Sequence, residues 1–245
     1  MALRVLPSIL YGKEHPYAKP FTGTGTEEAV QRMTREDLAS YHATWFKPNN
    51  ATLLVVGDTT LAEVKPMLEK AFAGWKAGEV PKKVLADVAA PAKSVVYLVD
   101  RPGALQSVIV GAQLAVPRKH EDALPLELVN DLFGGTFSSR INMNLREDKH
   151  WSYGVRSQLQ SALGQRPFMS VSPVQTDKTR EALQELVREY RDIAGGKPIT
   201  AEELKAAVDN NTLGLPGGFE TAGQLTSAYT NICLLYTSPS PRDVE

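Results

Sequence analysis

The residues best able to do chemistry in this sequence gather between Asp131 and Gly154. Arg146 and Tyr153 stand seven apart there, close to two helical turns, so an unbroken helix would carry both on one face. If the helix stops near His150, both still sit where a helix runs into a strand. Such an edge can present a guanidinium and a phenol to one extended ligand. Both groups donate hydrogen bonds, and together they can hold a peptide carbonyl or its developing oxyanion. The plainer reading makes Arg146 a helix-surface partner of Glu147 or Asp148, and Tyr153 a half-buried strand aromatic. Gly134 and Gly135 most simply end the preceding helix, with close approach of a substrate as the functional alternative.

Other chemistries find no residues to carry them. The histidines are His15, His42, His120 and His150, and none falls in an H-E-x-x-H or H-x-x-E-H pattern, which sets two imidazoles one helical turn apart. His15 is expected to pack beside the Pro16-Tyr17 turn, and His42 to be a core or boundary histidine beside Tyr41 and Trp45. The single cysteine, Cys233, allows neither an intrachain disulfide nor a structural zinc site. There is no G-x-S-x-G elbow and no phosphate-binding G-x-x-x-x-G-K-[ST] loop, and Gly23-Thr24-Gly25 lacks a third glycine. No catalytic residue and no metal ligand is therefore expected on this chain alone. A formal net charge of −1, with basic residues scattered among acidic ones, argues against nucleic acid. No apolar run reaches the roughly 20 residues that span a bilayer. The N-terminal stretch is too short and too soon interrupted for a signal peptide.

The elements that position these residues follow from period and punctuation. Helices are predicted over Thr26–Met33, Thr34–Phe46 and from Thr60 through Trp75, the last burying Leu61, Val64, Leu68, Ala71, Phe72 and Trp75. Lys47-Pro48-Asn49-Asn50 is a breaker, and Ala51–Gly57 reads as a buried strand. Ser94–Asp100 and Gln106–Ala115 form a predicted hairpin around Arg101-Pro102-Gly103-Ala104. Glu121–Phe133 (buried stripe Leu124, Leu128, Val129, Leu132) and Ser138–Lys149 are helical. Tyr153–Leu163 and Arg166–Val174 make a second strand pair. Thr176–Ala194 is amphipathic, with Leu183, Leu186, Val187, Tyr190 and Ile193 inward. Thr200-x-x-Glu203 opens the next helix, and Phe219–Ile232 carries a helical pattern. Paired strands with helices between the pairs point to an α+β two-layer domain, its mainly antiparallel sheet covered by helices on one face.

Gly134-Gly135, Ser138-Ser139-Arg140, Leu145-Arg146-Glu147 and Tyr153-Gly154 together resemble the insulinase/pitrilysin family of inverted zincins. Tyr11-Gly12 with His15-Pro16-Tyr17, Phe46 to Thr52, Val56-Gly57-Asp58, Asp100 to Ala104 with Gln106-Ser107, and Leu215-Pro216-Gly217 with Phe219-Glu220-Thr221 match in family order. The resemblance implies a hollow clamshell in which one half supplies an H-x-x-E-H zinc site and the other an Arg-x6-Tyr pair facing it. Arg146 and Tyr153 match that pair, so the resemblance implies that they bind the backbone of a peptide substrate opposite the metal. His150-Trp151-Ser152 replaces the small or apolar residues usual between them, and bulky Trp151 would narrow or reshape the pocket. The expected cofactor is zinc in the complete enzyme, with none bound by this chain. The expected partner is a zinc-bearing half or subunit. The alternative is a non-peptidase scaffold subunit of the same fold that only binds a partner. Resemblance to bacterial members leans toward an envelope location.

The resemblance places the chain in the C-terminal, non-zinc portion of such a protein, so the sheet would lack its N-terminal complement. Residues 1–25 are then an irregular lead-in and 26–232 the truncated peptidase-family domain. From Cys233 to Asp243 the string resembles a translated sequencing adapter, so 233–245 is read as a non-native tail and the native chain is expected to continue past Ile232.

Overall fold

The computed structural model describes residues 2–235, so most of the adapter-like tail, 236–245, lies outside the described residues. Two units are formed: residues 3–86 with the segment from Leu215 onward, and residues 87–214.

In the first unit, helix starts obey their capping chemistry. Helix α1 (Ala2–Tyr11) occupies part of the stretch read as irregular. Its internal Pro7 and lack of a capping side chain hide it from a signal-based reading, but Pro7 and Tyr11 are buried. The Thr26 side chain accepts the Ala29 N–H to start α2 (Glu27–Arg32). Thr34 and Asp37 close a reciprocal capping box on α3 (Arg35–Trp45), and Thr60 and Glu63 do the same on α4 (Leu61–Phe72). The breaker after α3 is held by Asn50, which donates to the Trp45 carbonyl at 2.8 Å, and by Asn49, which exchanges two bonds with Gly78.

Three expectations fail in this unit. Residues 51–57 form no strand, and Leu53 and Val55 are exposed, because an extended run needs a hydrogen-bonding partner and none pairs with it among the described residues. Helix α4 stops at Phe72, and only Val64 and Leu68 of its apolar face are half-buried. His42 is exposed on α3, where it stacks on Phe46 with ring centres 4.7 Å apart.

The second unit is the α+β core. β1 (Gln106–Ala115), β2 (Arg156–Leu159) and β3 (Arg166–Gln175) form an antiparallel sheet in the order β1-β3-β2. β1 runs along β3 from Gln106 opposite Gln175 to Ala115 opposite Arg166. The turn at Arg101–Ala104 does form, with Gly103 at φ +78° and the Ala104 N–H returning to the Arg101 carbonyl. The hairpin it was expected to close does not: residues 94–100 stay unpaired, and Val95, Val96, Tyr97, Leu98 and Val99 are exposed. β1 found a longer partner in β3.

Helices α5 (Ala123–Asn130), α6 (Arg140–Asn142), α7 (Thr179–Arg191) and α8 (Ala201–Gly214) complete this unit, while α9 (Ala222–Leu235) follows in the first. Phe133, Ile141, Leu145, Val155, Val174, Ala182 and Leu186 form the core, with Trp151, Phe168, Tyr190 and Ile193 packed against it. The apolar stripes are narrower than their patterns. Leu124 is exposed on α5, and Leu183 and Val187 on α7, because the row Ala182–Leu186–Tyr190 faces the core and its flanking row does not.

Arg140 and Glu203 lock α6 to the start of α8. Arg140 Nε and Nη2 donate to the two carboxylate oxygens at 2.9 and 2.6 Å, and Nη1 and Nη2 reach the Lys197 and Pro198 carbonyls. Glu203 also accepts the Thr200 N–H, capping α8. The hydrogen bonds from Arg140 hold its carboxyl below the usual glutamate range. A depressed folded-state pKa contributes stability above the unfolded value of about 4.3 and loses it as pH falls through the folded value. Glu203→Gln is therefore expected to lower stability at pH 7 by about 1 kcal/mol, a figure reduced for the carboxylate's partial exposure. In urea unfolding the difference from wild type should vanish at pH 2; a gap of the same size there would contradict this account.

Candidate functional site

Helix α5 widens at its end into a turn, Asp131–Gly135, that buries Phe133 and Gly134. A Cβ on Gly134 would lie 2.5 Å from Ser157 Oγ and 2.6 Å from both Ile141 Cδ1 and the Ser157 backbone nitrogen. Close packing against the start of β2 thus requires that glycine, and the helix ends at Gly135 rather than before Gly134. Gly135 is exposed, with Asn130 and Asp131 crowding the place of its Cβ.

The next loop carries Phe137 outward, 61% exposed, before α6 and a second widened turn, Met143–Asp148. Ile141 and Leu145 anchor this segment in the core and leave Arg146 half-buried at its rim. The helix then stops at His150, whose φ of +57° is the one positive value at a non-glycine among the described residues. Its N–H returns to the Arg146 carbonyl at 3.2 Å and the Trp151 N–H to Leu145 at 3.0 Å, an αL termination. The chain is pinned at once to the end of β3. The Gln175 N–H reaches the Trp151 carbonyl at 2.9 Å, and Ser152 Oγ donates to the Pro173 carbonyl at 2.5 Å. Trp151 is half-buried and packs against the core.

This reversal brings Arg146 and Tyr153 together. The Arg146 guanidinium carbon lies 5.3 Å from the centre of the Tyr153 ring and 4.6 Å from that of Phe137. Arg146 Nε pairs with Glu147 Oε1 at 3.2 Å, so the plainer ion-pair reading is also realised. Tyr153 is 87% exposed rather than half-buried. Among the described residues, neither the Arg146 Nη groups nor the Tyr153 hydroxyl has a hydrogen-bond partner. The pair does not share a helical face; an αL turn, not helix periodicity, makes it. Both side chains are hydrogen-bond donors.

Phe137 was not singled out by sequence reasoning, and His150 was read as a helix end without its left-handed backbone. An exposed phenylalanine has no periodic signature, and a positive φ at histidine has no local code.

The family model of the peptidase M16 inactive domain matches residues 32–211. The chain belongs to this family. A relative named zinc protease PqqE, from Helicobacter pylori, is 25% identical over 229 residues, covering 89% of this chain and 49% of the relative. The chain thus spans about half that relative's length. A crystal structure of a peptidase M16 inactive domain from Pseudomonas fluorescens superposes with a TM-score of 0.82 at 22% identity, covering 95% of this chain and 54% of that one. A chain of complex III2 from Candida albicans, solved with Inz-5 bound, shares the fold at a TM-score of 0.73 and 15% identity, covering 98% of this chain and 58% of that one.

Zinc-protease relatives raise the question of a metal, and the M16 residues present here do not fit one. Among the described residues no group of three or more His, Cys, Asp or Glu side chains could hold an ion. His15 Nδ1 accepts the Tyr17 N–H at 3.0 Å while its ring stacks on Tyr11, and His120 Nδ1 accepts the Asp122 N–H at 3.2 Å. The His150 Nδ1 lies 3.1 Å from the Arg146 carbonyl. No described helix is long and apolar enough to cross a membrane.

Proposed function

We propose that this chain is the non-catalytic, substrate-gripping portion of a zinc metalloendopeptidase that acts on extended peptides, with the metal carried by another half or subunit. The observation that carries this reading is the contact between the half-buried Arg146 guanidinium and the exposed Tyr153 ring, both with unengaged donors. Their role is to hold a backbone carbonyl and stabilise charge that develops on its oxygen. Gly134 serves this only indirectly, by setting the approach of β2, and Gly135 by ending the helix before it. In the complete enzyme, Arg146→Ala or Tyr153→Phe should lower turnover on the order of 10²–10³-fold per donor, with zinc content intact. Peptide turnover unchanged in both variants would sink the role.

The competing reading is a scaffold subunit that only binds a partner. The unpaired, exposed apolar run Val95–Val99 favours it, as surface for another chain to cover. Recovering the full reading frame and its neighbouring gene decides between them. An H-x-x-E-H segment in either supports the peptidase, and its absence from both supports the scaffold.

A further inference from the structure

We infer that Phe137 is a third substrate-contacting residue of the Arg146–Tyr153 site, and that it makes the site prefer extended peptides with a large apolar or aromatic side chain beside the gripped carbonyl. This rests on the gripping role proposed above.

A single exposed phenylalanine on a loop is ordinary; this one is held in place. The Phe137 carbonyl accepts a 2.7 Å hydrogen bond from Asn142 Nδ2, and the Asn142 side-chain oxygen accepts the Val155 N–H at 3.0 Å. Asn142 is only 4% exposed. One buried amide therefore ties the loop bearing the first ring to the strand entry two residues beyond the second ring. Between them lies the Arg146 guanidinium, within cation–π range of both. Rings beside a guanidinium displace water from it and leave its outer N–H groups for a carbonyl. The exposed face of Phe137 then adjoins the bound backbone, where it offers dispersion and burial to an apolar side chain. An acidic side chain is not favoured, because Glu147 already sits on Arg146 Nε and repels a second carboxylate.

The test is a chemical-shift titration of this chain with two short unstructured peptides, identical except for one phenylalanine replaced by alanine. Wild type should bind the phenylalanine peptide roughly fivefold more tightly. Phe137→Ala should abolish that preference, so that the two peptides bind alike, while Arg146→Ala weakens both. Equal binding of both peptides by wild type overturns the inference without needing any variant. If Arg146→Ala weakens binding but Phe137→Ala leaves the preference intact, the inference fails and the gripping role stands. If Arg146→Ala leaves both affinities unchanged, the gripping role itself fails and the inference with it.

Discussion

Arg166→Met is expected to lower the stability of this protein by about 2–3 kcal/mol, the cost of stripping a buried donor from backbone carbonyls and from a partly exposed carboxylate. Arg166 is fully buried at the start of β3. Its Nη1 donates to Glu127 Oε1 at 2.5 Å, its Nε to the Val116 carbonyl at 3.1 Å and its Nη2 to the Ala123 carbonyl at 3.4 Å. The side chain thus satisfies acceptors just beyond the end of β1 and along the first turns of α5. Methionine fills much of the volume but donates nothing, leaving two carbonyls and a carboxylate without their strongest partner. Arg118, 3.6 Å from Glu127, compensates only in part. Urea unfolding measures the loss. The double change Arg166→Met with Glu127→Leu should be less destabilised than Arg166→Met alone, since no carboxylate is then left behind. A single-variant loss below about 1 kcal/mol would show that the buried guanidinium contributes little net stability.

Gly134→Ala is expected to cost about 2–3 kcal/mol through overpacking. Two of the three atoms its Cβ would meet belong to Ser157, and one of those is backbone at 2.6 Å, so no rotamer change relieves the clash. The displaced residue lies in β2, four positions beyond Tyr153, so the same substitution should broaden the signals of Tyr153 and Val155. Gly135→Ala is the control. Its nearest neighbours are the side-chain ends of Asn130 and Asp131 at 2.8 Å, and its backbone neighbour, the Asn130 carbonyl, is farther off at 3.1 Å, so its loss should be smaller. If Gly134→Ala melts as wild type but weakens peptide binding, the packing explanation is wrong and direct substrate approach regains its place.

Much of the local structure was legible because its causes are local. The capping boxes at Thr34 and Thr60 start helices where their side chains can reach the third N–H, and the box at Thr200 does so while its Glu203 also answers Arg140. The bounds of β1 are those of its apolar run, and the α+β class follows from the order of elements. Less legible were pairing and facing. A turn at Arg101–Ala104 reverses the chain, but reversal does not choose a partner, and β1 paired along its full length with β3 instead of with the residues before the turn. Apolar period marks which residues are able to face a core; whether Leu124, Leu183 and Val187 do so depends on what packs beside them.

The candidate site divides along the same line. Residue types and spacing determined by themselves that Arg146 and Tyr153 are the donors worth watching, and the ordered motifs placed them in the M16 family. That they meet, and that Phe137 joins them, was decided only in three dimensions. The contact depends on a left-handed His150, on the hydrogen bonds that pin Trp151 and Ser152 to the end of β3, and on the Asn142 amide joining segments far apart in the chain. Those constraints arise from tertiary closure, because a backbone conformation unfavourable at one residue persists only where its surroundings enforce it.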